Sequence, residues 1–97
     1  MLIQLTLIGK PGCHLCEDAE IVLAQVIHEF EKAHAARGIE VGLERINILE
    51  DAAMALKHSE EIPVLQINGK THGYWHIDPV RLRAALEALA GGSIDRS

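Results

Sequence analysis

Cys13 and Cys16, separated by His14 and Leu15, are the only two cysteines in the chain. They follow an apolar run from Leu2 to Ile8 that turns through Gly9-Lys10-Pro11-Gly12 into a long helical pattern. A thiol at a helix start meets the positive end of the macrodipole and the unpaired first-turn amides, both of which favour thiolate. Thiolate is the form that attacks a disulfide, and a second thiol one turn along the helix can displace the resulting mixed disulfide. The spacing therefore suits dithiol–disulfide exchange. Half of a metal site and a pair of ordinary buried cysteines are the competing readings. Glu17 and Asp18 suit the helix N-terminus yet add negative potential near the thiols, while Lys10 and a protonated His14 act oppositely.

The elements that must hold this pair are marked along the chain. Residues 2–8 read as a strand covered on both faces. Leu15, Ala19, Val22, Leu23, Val26, Ile27, Phe30 and Ala33 recur at three- and four-residue steps, so the spacing predicts a helix over 14–37 with Gly38 as its stop. A strand from Ile39 to Ile48 follows, and its apolar parity switches between Leu43 and Ile46, which predicts a bulge. Glu50 to His58 places acids first and bases last, as a short helix prefers. Residues 64–67 and 70–74 flank Asn68-Gly69, a strong hairpin signal. Asp78 as N-cap, Pro79 at the first helical position and an Ile77–Leu82 staple open a last helix. Leu82, Ala85, Leu86 and Leu89 form its buried stripe, and Gly91-Gly92 ends it. One domain over 1–92 and a frayed tail over 93–97 are expected.

Composition narrows the function. Of 97 residues, 48% are hydrophobic and 24% charged, so the chain is globular rather than disordered. The net charge of −5 and only three aromatics, Phe30, Tyr74 and Trp75, argue against a nucleic-acid partner. The first strand is too short to span a membrane and carries no basic leader, so no membrane partner and a cytoplasmic location are expected. In a reducing compartment a lone Cys-x-x-Cys is catalytic or metal-binding more often than structural.

The order β-α-β-α-β-β-α, Pro11-Gly12-Cys13-His14-Leu15-Cys16-Glu17 opening the first helix, and Ile62-Pro63-Val64-Leu65 before a hairpin together resemble the glutaredoxin-like branch of the thioredoxin superfamily. The resemblance covers nearly the whole chain and is greatest to small bacterial glutaredoxin-like proteins. It implies an α/β thioredoxin-like fold, a four-stranded mixed sheet with helices on both faces. It also implies a monomeric thiol–disulfide oxidoreductase with Cys13 as nucleophile and Cys16 resolving. The substrate would be a protein or small-molecule disulfide, with no bound cofactor and with glutathione as a candidate co-substrate.

By the same resemblance Pro63 follows a cis peptide facing the cysteines and leaves the Ile62 backbone open to an extended substrate. Lys10 stands where glutaredoxins place a basic residue for a glutathione carboxylate, and an exposed loop lysine is its plain alternative. The family's Gly-Gly-x-x-Asp loop is reduced here to Gly73-Tyr74-Trp75-His76-Ile77-Asp78, with one glycine. Gly73, Trp75 and Asp78 remain candidate substrate contacts, and Trp75 is expected beside the thiols unless it packs locally on the last helix. His14 either tunes the thiolate or faces water. His72 and His76, formally a two-histidine complement to the cysteines, are expected to be exposed rather than to ligate zinc or an iron–sulfur cluster. His28, His34 and His58 are expected to be solvated on helix faces.

Overall fold

The apolar run beginning at Leu2 forms β1 (Leu2–Gly9), of which every residue from Leu5 onward is buried. The computed structural model describes residues 1–91, so Gly92 and the expected frayed tail over 93–97 lie outside the described residues. β2 (Glu40–Asn47) pairs parallel with β1, β3 (Val64–Ile67) pairs antiparallel with β1 on its other side, and β4 (Lys70–Tyr74) pairs antiparallel with β3. The sheet order is β2-β1-β3-β4. This is the expected mixed sheet, and its parallel half is joined by α1 (His14–Ala33).

Strand alternation sends side chains to two layers. Ile3, Leu5 and Leu7 meet Ala19, Leu23, Val26 and Phe30 of α1, and Leu82, Leu86 and Ala90 of α3 (Pro79–Gly91). On the other face Ile8 and Val64 pack with Ile48, Ile62 and Met54, the last from the short α2 (Ala52–His58). Helices thus cover both faces.

Several boundaries differ from expectation for identifiable reasons. α1 stops at Ala33 rather than 37, because the His34 amide is shared between the Phe30 and Glu31 carbonyls at 3.1 and 3.3 Å. The chain then makes a separate 3-10 turn over Ala35–Arg37 before Gly38, at φ 68°. Ala33 is consequently exposed. β2 has no bulge; its register with β1 is unbroken from Leu2↔Glu40 to Gly9↔Asn47. The parity switch arises because Val41 and Leu43 pack on the α1 layer while Ile46 packs on the α2 layer. The bulge lies instead between β3 and β4, where Leu65↔Gly73 is followed by Gln66↔Thr71, leaving His72 as the extra residue. The Asn68-Gly69 turn has the two positive φ values, 52° and 85°, that its sequence implies. In α3 the stripe runs through Leu82, Leu86 and Ala90, and Leu89 is 38% exposed rather than buried.

Two of the histidines expected on solvated helix faces are not in water. His58, at the end of α2, is only 4% exposed. The His34 side chain, 12% exposed, bonds Glu87 at 2.8 Å and lies 4.5 Å from the Phe30 ring. His28 is exposed as expected.

Candidate functional site

The turn between β1 and α1 sets the two thiols in different surroundings. Gly12, at φ 77°, takes a left-handed conformation that reverses the chain. Cys13 is then the N-cap of α1, with extended backbone at φ −97° and ψ 114°, and its Sγ accepts the Cys16 N–H at 3.2 Å. Both cysteines are free; Cys13 is half-buried and Cys16 buried. Burial pushes the Cys16 thiol up to about 11, helped by its hydrogen bond with Cys13, while the Lys10 amide and charge act in the opposite direction. The outer sulfur is therefore the more accessible of the two, and burial of the inner one favours its neutral thiol. Gly9 makes this packing possible: a Cβ there would stand 2.8 Å from the Cys16 Sγ.

The opposite flank carries Ile62-Pro63. The peptide between them is cis, as expected. The register Ile8↔Val64 sets Pro63 beside the end of β1 that leads into the cysteine turn. Among the described residues neither the N–H nor the C=O of Ile62 has a backbone partner. Trp75 braces this segment from just past β4: its amide donates to Pro63 O at 2.8 Å and its indole Nε1–H to Glu60 O at 3.3 Å. The ring is 52% exposed, and its recorded bonds go to the proline loop rather than to α3.

The family model described as Glutaredoxin-like domain (DUF836) matches residues 4–87. The chain belongs to this glutaredoxin-like family. It is 32% identical to a structural-genomics target protein, XcR50, from X. campestris, with a TM-score of 0.64 over 87% of this chain and 96% of that one. An uncharacterised protein of Mycobacterium tuberculosis is 26% identical over 90 residues, 93% of this chain and 89% of its own. Oxidised mitochondrial thioredoxin 3 from Saccharomyces cerevisiae shares the fold, with a TM-score of 0.57 at 14% identity over 88% of this chain and 76% of its own. The thioredoxin-like architecture with its Cys13–Cys16 pair supports a redox type of function.

Within the glutaredoxin-like chain the other anticipated residues fall into separate groups. Lys10 lines a cleft together with Cys16. His14 points to water, its side chain 95% exposed and 3.6 Å from Glu17. Asp78 caps α3, its Oδ1 accepting the Val80 and Arg81 amides at 2.9 and 3.3 Å, so that oxygen is already engaged. Gly73 lies under Arg81, whose guanidinium would stand 3.5 Å from a Cβ at that position. His72 is half-buried, not exposed; burial, aided by Arg81, lowers its pKa. His76 is exposed. Among the described residues no three His, Cys, Asp or Glu side chains stand close enough to hold a metal, so the Cys13, Cys16, His72 and His76 set is not assembled. Among the described residues no helix is long and apolar enough to cross a membrane.

Three further features escape a reading of the sequence. Gly9 could be read only as part of a turn, although a glycine ending a buried strand is itself a sign of close approach. Arg45 clamps Glu20 through two bonds of 2.7 and 2.8 Å, joining β2 to α1 beside Cys16. His58 bonds Glu61 at 3.0 Å and so ties the end of α2 to the loop before Pro63.

Proposed function

We propose that this protein is a thiol–disulfide oxidoreductase in which Cys13 attacks and Cys16 resolves. The observation that carries the reading is the asymmetry of the pair: Cys13 is the more open sulfur and sits at the cap of α1, whereas Cys16 is buried and kept protonated. The Cys13 thiolate attacks one sulfur of a substrate disulfide, forming a mixed disulfide and releasing one thiolate. Cys16 then loses its proton and attacks the Cys13 Sγ. A Cys13–Cys16 disulfide forms, the bond to the substrate breaks, and the second substrate thiolate leaves. The substrate is reduced by two electrons and the dithiol oxidised by two.

The free Ile62 backbone groups suit an extended partner, which would pair with them as a short β ladder. Substrates on this reading are protein or small-molecule disulfides. Glutathione serves as co-substrate that regenerates the dithiol, the chain acts as a cytoplasmic monomer, and no bound cofactor takes part. Reduction of a small disulfide, driven by glutathione and separately by a synthetic dithiol, tests the proposal. The wild type should turn over with at least one of them and Cys13→Ser with neither. Turnover retained by Cys13→Ser would overturn the assignment.

A further inference from the structure

On the β2 side of the cysteine turn, across β1 from Pro63, lies a cleft of about 260 Å3. Leu7 and Cys16 lie in its wall, and the charged groups facing it are Lys10, Glu20, Arg45 and Glu50. The cleft reaches Cys16 from the side away from the proline loop, and neither Cys13 nor Pro63 lines it. It is roomy enough for water, which occupies about 30 Å3 per molecule in the liquid.

The charges around it do not act equally on Cys16. Glu20, one turn along α1, has both carboxylate oxygens engaged by Arg45, so those two charges largely cancel at the sulfur. Glu50, from the 3-10 turn after β2, is negative and opposes ionisation. Cys13, when it is a thiolate, opposes it as well, but in the mixed disulfide it is neutral. Among the described residues Lys10 forms no ion pair, and its backbone amide and ammonium charge both favour the Cys16 thiolate.

We infer that the Lys10 side chain acts on the resolving thiol through this cleft, favouring the Cys16 thiolate at the moment it must attack Cys13, rather than acting on a carboxylate of the substrate. This rests on the exchange mechanism proposed above. In the step concerned, Cys16 releases its proton through the cleft to solvent, its sulfur bonds to Cys13 Sγ, and the substrate sulfur leaves as a thiolate that takes up a proton from water.

The test separates this from substrate binding and from the exchange reading itself. In a Cys13→Ser background the Cys16 thiolate fraction is read by ultraviolet absorbance at a fixed alkaline pH. A Cys13→Ser, Cys16→Ser protein supplies the baseline, and circular dichroism confirms the fold. Lys10→Met should lower that fraction about two- to threefold at low salt, the effect shrinking as salt is added. Lys10→Arg should restore it. In protein with both cysteines, Lys10→Met should slow resolution of a preformed Cys13 mixed disulfide with a small uncharged thiol by a similar factor. An unchanged thiolate fraction in Lys10→Met, with or without a raised KM for glutathione, would overturn the inference. A lowered fraction in a protein that exchanges no disulfide would remove the proposed function and with it the role in resolution, leaving only an effect of the Lys10 charge on the Cys16 thiol.

Discussion

Gly9 shows how much of the site depends on a single missing atom. Its backbone is ordinary, so its value is space: the Cys16 sulfur occupies the volume a methyl group would need. Gly9→Ala should therefore cost about 1–3 kcal/mol by overpacking and displace the resolving sulfur. Denaturant unfolding should show the loss, and the mixed disulfide at Cys13 should persist longer than in wild type. Gly12→Ala is the contrast. Nothing stands within 4 Å of a Cβ at Gly12, but its φ of 77° makes a side chain strained. It should lose about 1 kcal/mol with little change in that lifetime. The cysteines and Asp78 were legible from residue type and local spacing, and Pro63 from the family resemblance. The Gly9–Cys16 contact was not, because it exists only once α1 folds back on β1. His58 was hidden for a similar reason: seven residues of α2 are too few for periodicity to say which face is buried.

The segment between α2 and β3 presents Ile62, and it is held at both ends. Asp51 caps α2 through the Met54 amide at 3.0 Å, His58 reaches Glu61 at 3.0 Å, and the Glu61 amide bonds His58 O at 2.8 Å. Just past β4, Trp75 adds its two bonds while holding a left-handed φ of 61°, an uncommon conformation for a bulky residue. Trp75→Phe removes the indole N–H and keeps an aromatic ring. The bond is exposed, so its loss should cost at most about 1 kcal/mol. Hydrogen exchange at the Glu61 amide should nevertheless quicken, because local opening of this loop becomes easier. Unchanged exchange there would mean that Trp75 does not brace the loop. At this scale the hairpin turn and the start of the last helix were legible, being local chemistry of Asn68-Gly69 and Asp78-Pro79. The bulge lies on β4 rather than β2: an edge strand that packs on two layers shows the same parity switch as a bulged one, and only its unbroken register with β1 tells them apart.

The molecule as a whole joins two halves of the chain at one sheet end. β1 and α1 deliver the cysteines; β3, paired antiparallel to β1, delivers Pro63 alongside. The two flanks of that end differ, with the proline loop beyond β3 and the Lys10 cleft towards β2, so a substrate and the proton of Cys16 can use separate routes. Element order and the Cys-x-x-Cys and Ile-Pro-Val motifs were enough to foresee the fold. The side-by-side placement of α1 and α3, sealed by the His34–Glu87 bond at 2.8 Å and by Arg83 standing 3.9 Å from Glu29, was not, since those partners lie far apart in the chain. The central claim is a division of labour between two sulfurs, and trapping tests it most directly. Reduced Cys13→Ser and Cys16→Ser proteins are mixed at neutral pH with a small symmetrical disulfide, quenched over time, and the adducts mapped by peptide mass spectrometry. The account predicts rapid, stable adduct on Cys13 in Cys16→Ser, slow adduct on Cys16 in Cys13→Ser, and passage through a Cys13 adduct to an internal disulfide in wild type. Faster modification of Cys16 than of Cys13 would contradict it.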